Sequence, residues 1–335
     1  MPIGQMDVVA LPTEVASGTA FALLVALAGA SRAPREELGD ELAAALDATG
    51  DAEGETWLNL VGISIDAGSP FSAERLLGAV ESMDPVELRR HLLGRYAWSW
   101  CTLVGVDDIE SAAHGDAAAA ARLLAHPRYY GGHAKTSLTV LLGLDPVETR
   151  ERIAAAIAAG AQSLPAAGAT HELHATYETA AALLEARPPL AAIEHLAGGY
   201  RYVPEPEAER VVLVPHLEPS LPLVLVQHRS SRLIAYVSAP DRSREERLLA
   251  FGRALADPKR VEILSLVGRG VGRAADLVDA TGLTRSTVHH HLAQLRAAGL
   301  VALEGNARAY TYVPRREAAA DAAALVADIV GTEGE

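Results

Sequence analysis

The stretch Thr284–Val301, TRSTVHHHLAQLRAAGLV, constrains the fold more than any other part of this 335-residue chain. Thr284 suits a helix start, because its hydroxyl can accept a backbone N–H that has no partner within the helix. Val288, Leu292, Leu295 and Gly299 recur at helical spacing and mark a packed face. Arg285, Ser286, His289, His290 and Ala293 fall on or near the other side. A helix-turn-helix lays such hydrogen-bonding side chains, close to a helix N-terminus, against base edges in the major groove. The stretch therefore predicts a DNA-recognition helix running into the first strand of a winged helix-turn-helix.

The neighbouring residues fit the same motif. Asp257-Pro258 is a helix start, a carboxylate cap with proline in the first helical position. Val261, Ile263, Leu264 and Leu266 supply the apolar stripe of a helix ending near Gly268. Ala274 to Thr281 predicts a second short helix, closed by Gly282, which tolerates the left-handed conformation of a helix C-terminus. About three residues then lead into the recognition helix, the turn length this motif uses. Leu300-Val301-Ala302-Leu303 predicts a strand, Glu304-Gly305-Asn306 a turn and Tyr310-Thr311-Tyr312-Val313 a return strand. That hairpin is the wing, with Arg308 at its tip.

Residues 253–313 resemble the ArsR family of bacterial transcription regulators. The resemblance is carried by ALADPKRVEIL (254–264), AADLVDATGLTRSTVHHHLAQLRAAGLV (274–301) and ARAYTYV (307–313), and it covers under a fifth of the chain. It implies double-stranded DNA as partner and a homodimer on a palindromic operator, assembled through the helices that flank the winged helix. Here these are Arg244–Leu255, with Leu248, Leu249 and Leu255, and Glu317–Val330, with Ala324, Leu325, Ile329 and Val330. Arg285, Ser286, His289 and His290 would enter the major groove, Thr284 and Thr287 would hold phosphates, and Arg308 would meet the backbone or minor groove. Family members usually carry a small polar residue where this chain has His289, so base preference does not transfer. Metal-sensing members use a cysteine pair beside the recognition region, or His, Asp and Glu ligands on the last helix. The single cysteine here is Cys101 and the helix after Arg315 has no histidine, so no metal or other cofactor is expected.

A net charge of −14 suits a DNA binder only once it is divided along the chain. Residues 1–240 hold 16 basic and 30 acidic residues, whereas residues 259–316 hold 9 basic and 4 acidic, a local charge of +5. Neutralising phosphates is a local matter, so the acidic remainder does not oppose the motif and is expected to weaken non-specific binding. The single cysteine suits a reducing cytoplasm. Asp7 and Glu14, with no basic cluster before the first apolar run, do not make a secretory leader. That run, Thr19 to Ala30, is shorter than the roughly 20 residues a membrane span needs and reads as a buried helix.

The fold class expected is mainly α with a small β element. Residues 1–198 form a helical domain for sensing or assembly, 199–240 a short antiparallel sheet, and 241–335 the winged helix-turn-helix with its flanking helices. Helical segments are expected at Glu14–Ala30, Arg35–Ala48, Ala73–Glu81, Pro85–Leu103, Asp107–Ala125, Asp145–Ala159, His171–Glu185 and Pro189–Gly198. Val211–Val214, Leu223–Val226 and Leu233–Val237 are strand runs, and Pro215, Pro219 and Pro222 favour an irregular sheet. This order of helical block, small sheet and ArsR-like tail is similar to a group of actinobacterial-type regulators with a long N-terminal region of unassigned role.

Candidate chemistry outside the winged helix is thin. His171, His174 and Glu178 would share a helix face, which reads as a solvated polar face more readily than as a metal site. Aromatics are only 4% of the chain, so Trp57, Tyr96, Trp98, Trp100, Tyr129 and Tyr130 are candidates to line a pocket for a small-molecule effector, with core packing as the alternative. Ser99, Ser137, Ser163 and Ser220 lack a nucleophile-elbow frame, and no phosphate loop or dinucleotide fingerprint occurs. The reading favoured is therefore a non-enzymatic, sequence-specific transcription regulator, a repressor. The alternative is a metabolite-processing enzyme or protein-interaction module with an autoregulatory DNA-binding tail.

Overall fold

The computed structural model describes residues 11–16, 18–50, 54–164, 170–219, 221–237, 243–306 and 308–331. Asp7 and Ser220, and the side chains of Leu325 and Ile329, lie outside the described part. The chain forms two units that do not follow its order: Met1–Ala186 with Glu207–Ser238, and Arg187–Pro206 with Ala239–Glu335.

The first unit opens with β1 (Thr13–Val15) and α1 (Thr19–Ala30). It continues through α2 (Asp40–Thr49), α3 (Glu55–Asn59), α4 (Val61–Ala67), α5 (Ala73–Ser82), α6 (Pro85–Leu92) and α7 (Trp98–Val104). Then come α8 (Val106–Ala113), α9 (Ala117–Ala125), α10 (Ala134–Gly143), α11 (Pro146–Ser163) and α12 (Thr170–Ala186). Ten of the twelve residues of α1 are buried, as a helix apolar on all sides requires. It packs against α3, α4, α5, α11 and a central strand, and Phe21, Leu24, Leu27, Trp57, Ile153, Ile157 and Val212 share its core. A second cluster joins Leu93, Ile109, Leu123, Tyr129, Tyr130 and Leu138. Among the described residues no helix is long and apolar enough to cross a membrane.

Two expected helices are each broken into two α-helices, the expected Arg35–Ala48 opens as a 3-10 turn at Arg35–Glu37 before α2, and the expected Glu14–Ala30 begins in β1 and is helical only from Thr19. Pro85–Leu103 divides because Gly94 takes φ 69°, where a Cβ would also stand 2.3 Å from the Trp100 ring. Asp107–Ala125 divides at Asp116, whose carboxylate restarts the helix by accepting from the Ala119 N–H at 2.8 Å.

The sheet of this unit departs from the expected antiparallel one. β3 (Arg210–His216), β4 (Leu223–His228) and β5 (Ser231–Val237) combine with β1 in the order β1-β3-β5-β4. β1 and β3 are parallel, β3 and β5 are parallel, and only β4–β5 is an antiparallel hairpin, so the sheet is mixed. The chain leaves β3, makes the far edge as β4 and returns between them as β5. Proline is tolerated at 215 because β1 pairs only as far as Leu213, leaving no neighbour on that side to receive an N–H.

The second unit contains α13 (Pro189–Leu196), β2 (Tyr200–Tyr202), α14 (Arg244–Leu255), α15 (Pro258–Gly268), α16 (Ala274–Thr281) and α17 (Arg285–Ala297). β6 (Val301–Gly305), β7 (Tyr310–Pro314) and α18 (Ala318–Val330) complete it. Its core is Ala254, Ile263, Val267, Leu277, Val288, Leu292, Leu295, Leu300 and Val301. β6 and β7 pair antiparallel as the expected wing. β2, which the sequence reading groups with the strand block 199–240, instead pairs parallel with β6 and makes the wing three-stranded.

Candidate nucleic-acid interface

Local chemistry fixes each helix of the motif. The Asp257 carboxylate accepts from the N–H groups of Lys259 at 2.8 Å and Arg260 at 3.3 Å, with Pro258 in the first turn of α15. The slight burial of Asp257, which would raise its pKa, is outweighed by these N–H groups and the Arg260 charge, so the carboxyl stays below its ordinary value. Gly282 ends α16 at φ 67° and turns the chain into α17. Thr284 then caps α17, its Oγ1 accepting from the Thr287 N–H at 3.2 Å. Val288, His291, Leu292 and Leu295 are the buried face of α17. His291 is therefore a packing residue, as its position beside the apolar stripe suggests.

The opposite face is open. Thr284, Arg285, Ser286 and His290 are exposed, and Thr287 and His289 are half-buried. The hydroxyls of Ser286 and Thr287 stand 3.0 and 2.7 Å from the Thr284 hydroxyl, so three hydroxyl groups gather at a helix N-terminus. The unpaired N–H groups and dipole of that terminus favour an anion. Burial, reinforced by the Arg285 charge, pushes the His289 pKa down, so its ring is neutral near pH 7 and offers one donor and one acceptor. Arg273, one of the nine basic residues of 259–316, is exposed at the start of α16, and the sequence reading did not single it out.

The wing tip is built around Asn306. Its Oδ1 accepts from the N–H of Arg308 at 3.0 Å and of Ala309 at 3.4 Å, and its own N–H donates to the Ala309 carbonyl at 3.0 Å. Arg308 is exposed on this tip, and Tyr310 beside it is 51% exposed. The sequence showed Asn306 as turn chemistry only, and gave no sign that Tyr310 would face solvent.

The six aromatics singled out as pocket candidates occupy different places. Trp57 is fully buried in the α1 core, where its indole N–H donates to Ser31 at 3.0 Å. Tyr129, Tyr130 and Trp100 pack on one another with ring centroids 5.0–5.8 Å apart. The Tyr129 hydroxyl donates to the Leu93 carbonyl at 2.8 Å and that of Tyr130 to Leu92. Tyr96 is half-buried and donates to Glu87, while Trp98 is 43% exposed. A groove of about 360 Å³ lies elsewhere in this unit, lined by Arg32, Glu37, Leu38, Leu164 and Glu218 among others, and by none of the six.

Sequence reasoning also missed an ionisable cluster assembled from distant segments. His228 lies 2.9 Å from Asp66, and its ring stacks on His91 with centroids 5.6 Å apart. Arg229 lies 4.2 Å over the Tyr96 ring. Burial would raise Asp66, but the hydrogen bonds and charges of His228 and Arg229 pull it down to about 2. Burial, with His228 adding to it, pushes His91 down to about 4. His174 pairs with Glu178 at 3.3 Å on an exposed helix face. Among the described residues no group of three or more His, Cys, Asp or Glu side chains is placed to hold a metal ion.

The comparisons with known proteins fall on the second unit. Residues 257–302 match the model of the bacterial regulatory protein, arsR family. The chain is 45% identical over 69 residues to the HTH-type transcriptional regulators CmtR of Mycobacterium bovis and Mycobacterium tuberculosis. That match covers 21% of this chain and 58% of each relative, so the chain spans little more than half the length of these proteins. No solved structure shows significant similarity to the chain. With the helix order, the three-residue turn and the wing already in place, residues 257–302 are a helix-turn-helix domain of the ArsR family, carried at the C-terminal side of a longer chain.

Proposed function

We propose that the chain is a sequence-specific DNA-binding transcription regulator of ArsR type, a cytoplasmic repressor acting as a homodimer on a palindromic operator. The observation that carries this reading is the open face of α17, with Thr284, Arg285, Ser286 and His290 exposed at its N-terminal end. Arg285, Ser286 and His290 read base edges, His289 joins them from its half-buried place, Thr284 and Thr287 hold phosphates, and Arg308 meets the backbone or minor groove. The local charge of +5 over residues 259–316 supports the phosphate contacts. Dimerisation uses α14 and α18, whose Leu249, Leu255, Val326 and Val330 are 38–72% exposed in the single chain. Two-fold symmetry of the protein then matches that of the operator. A small-molecule effector binds in the first unit, where Trp98 is exposed at the surface, and shifts the population away from the DNA-competent state.

The test is selection from a random DNA library with the full chain. An enriched palindrome supports the reading. Selection that enriches no sequence overturns it and turns attention to the first unit as the seat of the activity.

A further inference from the structure

The strand β2 lies, in sequence, between α12 and β3 of the first unit, yet it is built into the wing. The Leu303 N–H donates to the Gly199 carbonyl at 3.0 Å, and the Val203 N–H donates to the Gly305 carbonyl at 2.9 Å. The Tyr200 hydroxyl donates to the same Gly305 carbonyl at 2.9 Å. Arg201 bridges Glu194 at 2.9 Å and Glu317 at 3.0 Å, tying the strand to α13 and to the residue before α18. One further bond reaches the tip: Asn306 Nδ2 donates to the Val203 carbonyl at 3.0 Å. The same Asn306 accepts the Arg308 and Ala309 N–H groups through Oδ1. One side chain thus holds the tip turn with its oxygen and the inserted segment with its nitrogen.

We infer that Arg187–Pro206 is a brace of the wing, and that Asn306 is the positioning residue through which the brace sets Arg308 against DNA. The inference rests on the DNA-binding reading above. A two-stranded wing leaves its tip free to sample many orientations, and ordering it on DNA costs entropy at the moment of binding. A third strand and the Asn306 bridge remove that freedom beforehand. Both ends of the brace continue into the first unit, so any event there that draws the brace off β6 also releases the tip. This gives the first unit a covalent hold on the DNA interface.

The experiment is a double-mutant cycle on the full chain, read as affinity and salt dependence on the DNA selected by the wild type. Random duplex serves as probe if nothing is enriched. Arg308→Ala should lower the salt slope by about one. Asn306→Ala should weaken binding by about three- to tenfold, the worth of a net hydrogen bond, when Arg308 is present. In the Arg308→Ala background the same change should cost nothing. Asn306→Asp keeps the acceptor for the tip turn and removes only the donor to Val203, and its added charge is measured in the Arg308→Ala background. After that subtraction, Asn306→Asp should still weaken binding. An equal effect of Asn306→Ala in both backgrounds means the residue merely stabilises the fold and overturns the inference. An effect for Ala but none for Asp means the turn alone positions Arg308 and removes the brace. A wild type that binds neither probe refutes the DNA reading itself, before any variant is compared.

Discussion

Acidification should destabilise the first unit through two histidines that fold neutral. His216, at the end of β3, is fully buried. Its Nδ1 accepts from the Glu218 N–H at 3.2 Å and its Nε2 makes no hydrogen bond. Burial pushes its pKa down to about 4, and His91 is pushed to about 4 likewise. The unfolded chain takes up these protons near pH 6.5 and the folded chain does not, so stability rises with pH between about 4 and 6.5 and is lost on acidification through that window. For one such histidine the loss from pH 7 to pH 5 is about 2 kcal/mol. Carboxylates with lowered pKa lose their contribution only at lower pH, so the range from 5 to 7 isolates the histidines. The three tryptophans, Trp57, Trp98 and Trp100, all lie in the first unit, so selectively excited tryptophan fluorescence during urea unfolding reports on that unit. His216→Asn keeps an acceptor for the Glu218 N–H and cannot titrate here. It should remove about half of the pH dependence, whatever it does to stability at pH 7. An unchanged slope between pH 5 and 7 in that variant would falsify the assignment of a neutral, buried His216.

Arg285→Ala should weaken specific DNA binding by about 1–3 kcal/mol and relax one base position, measured by repeating the selection with the variant. Unchanged affinity and selectivity would remove Arg285 from the base readers. Leu292→Ala, in the fully buried face of α17, should destabilise the second unit by about 2–5 kcal/mol in denaturant melts followed by circular dichroism. A loss under 1 kcal/mol would mean that α17 does not pack on α15 and α16 as described.

The winged helix was legible almost to the residue because its signals are local. Asp257-Pro258, Gly282 and Thr284 act on backbone groups within three or four positions of themselves, and the apolar stripe of α17 follows from one period. The N-terminal helices were legible where a cap or proline marks them, as at Asp84-Pro85 and Asp145-Pro146, and illegible where a tertiary contact decides. Gly94 breaks a helix that its neighbours favour because the Trp100 ring needs the space of a missing Cβ. α3 and α4, in the run ETWLNLVGISIDA, carry no strong start and are stabilised by burial against α1. The sheet was read as antiparallel because successive strand runs suggest hairpins, whereas β5 returns between β3 and β4 to pair parallel with β3, and β1 pairs with a strand almost two hundred positions away, partnerships no local pattern records. For the site, the exposed face of α17 came from periodicity. The Asn306 bridge and the His91–His228 cluster did not, since each joins segments that only the fold brings together.

The placement of β2 changes how the DNA-binding part must be isolated. A fragment cut at residue 241, the natural boundary on sequence grounds, keeps all three helices of the motif and the hairpin but loses the strand paired with β6. Hydrogen bonds go with it, among them Leu303 to Gly199, Val203 to Gly305, Tyr200 to Gly305 and Asn306 to Val203, and so does the Arg201–Glu317 ion pair. At about 1 kcal/mol net for each, these four hydrogen bonds alone contribute about 4 kcal/mol, a large share of the 5–15 kcal/mol that a folded domain commands. It also bares the β6 edge, which invites pairing with other chains. The 241–335 fragment should therefore unfold at markedly lower urea than the same unit in the full chain. A peptide of residues 187–206 added in trans should raise its midpoint, and the peptide carrying Tyr200→Ala should raise it less. A fragment whose midpoint ignores the peptide would mean that β2 rests on a wing already complete without it. The wing's fixed shape would then have to come from β6, β7 and the Asn306 turn alone.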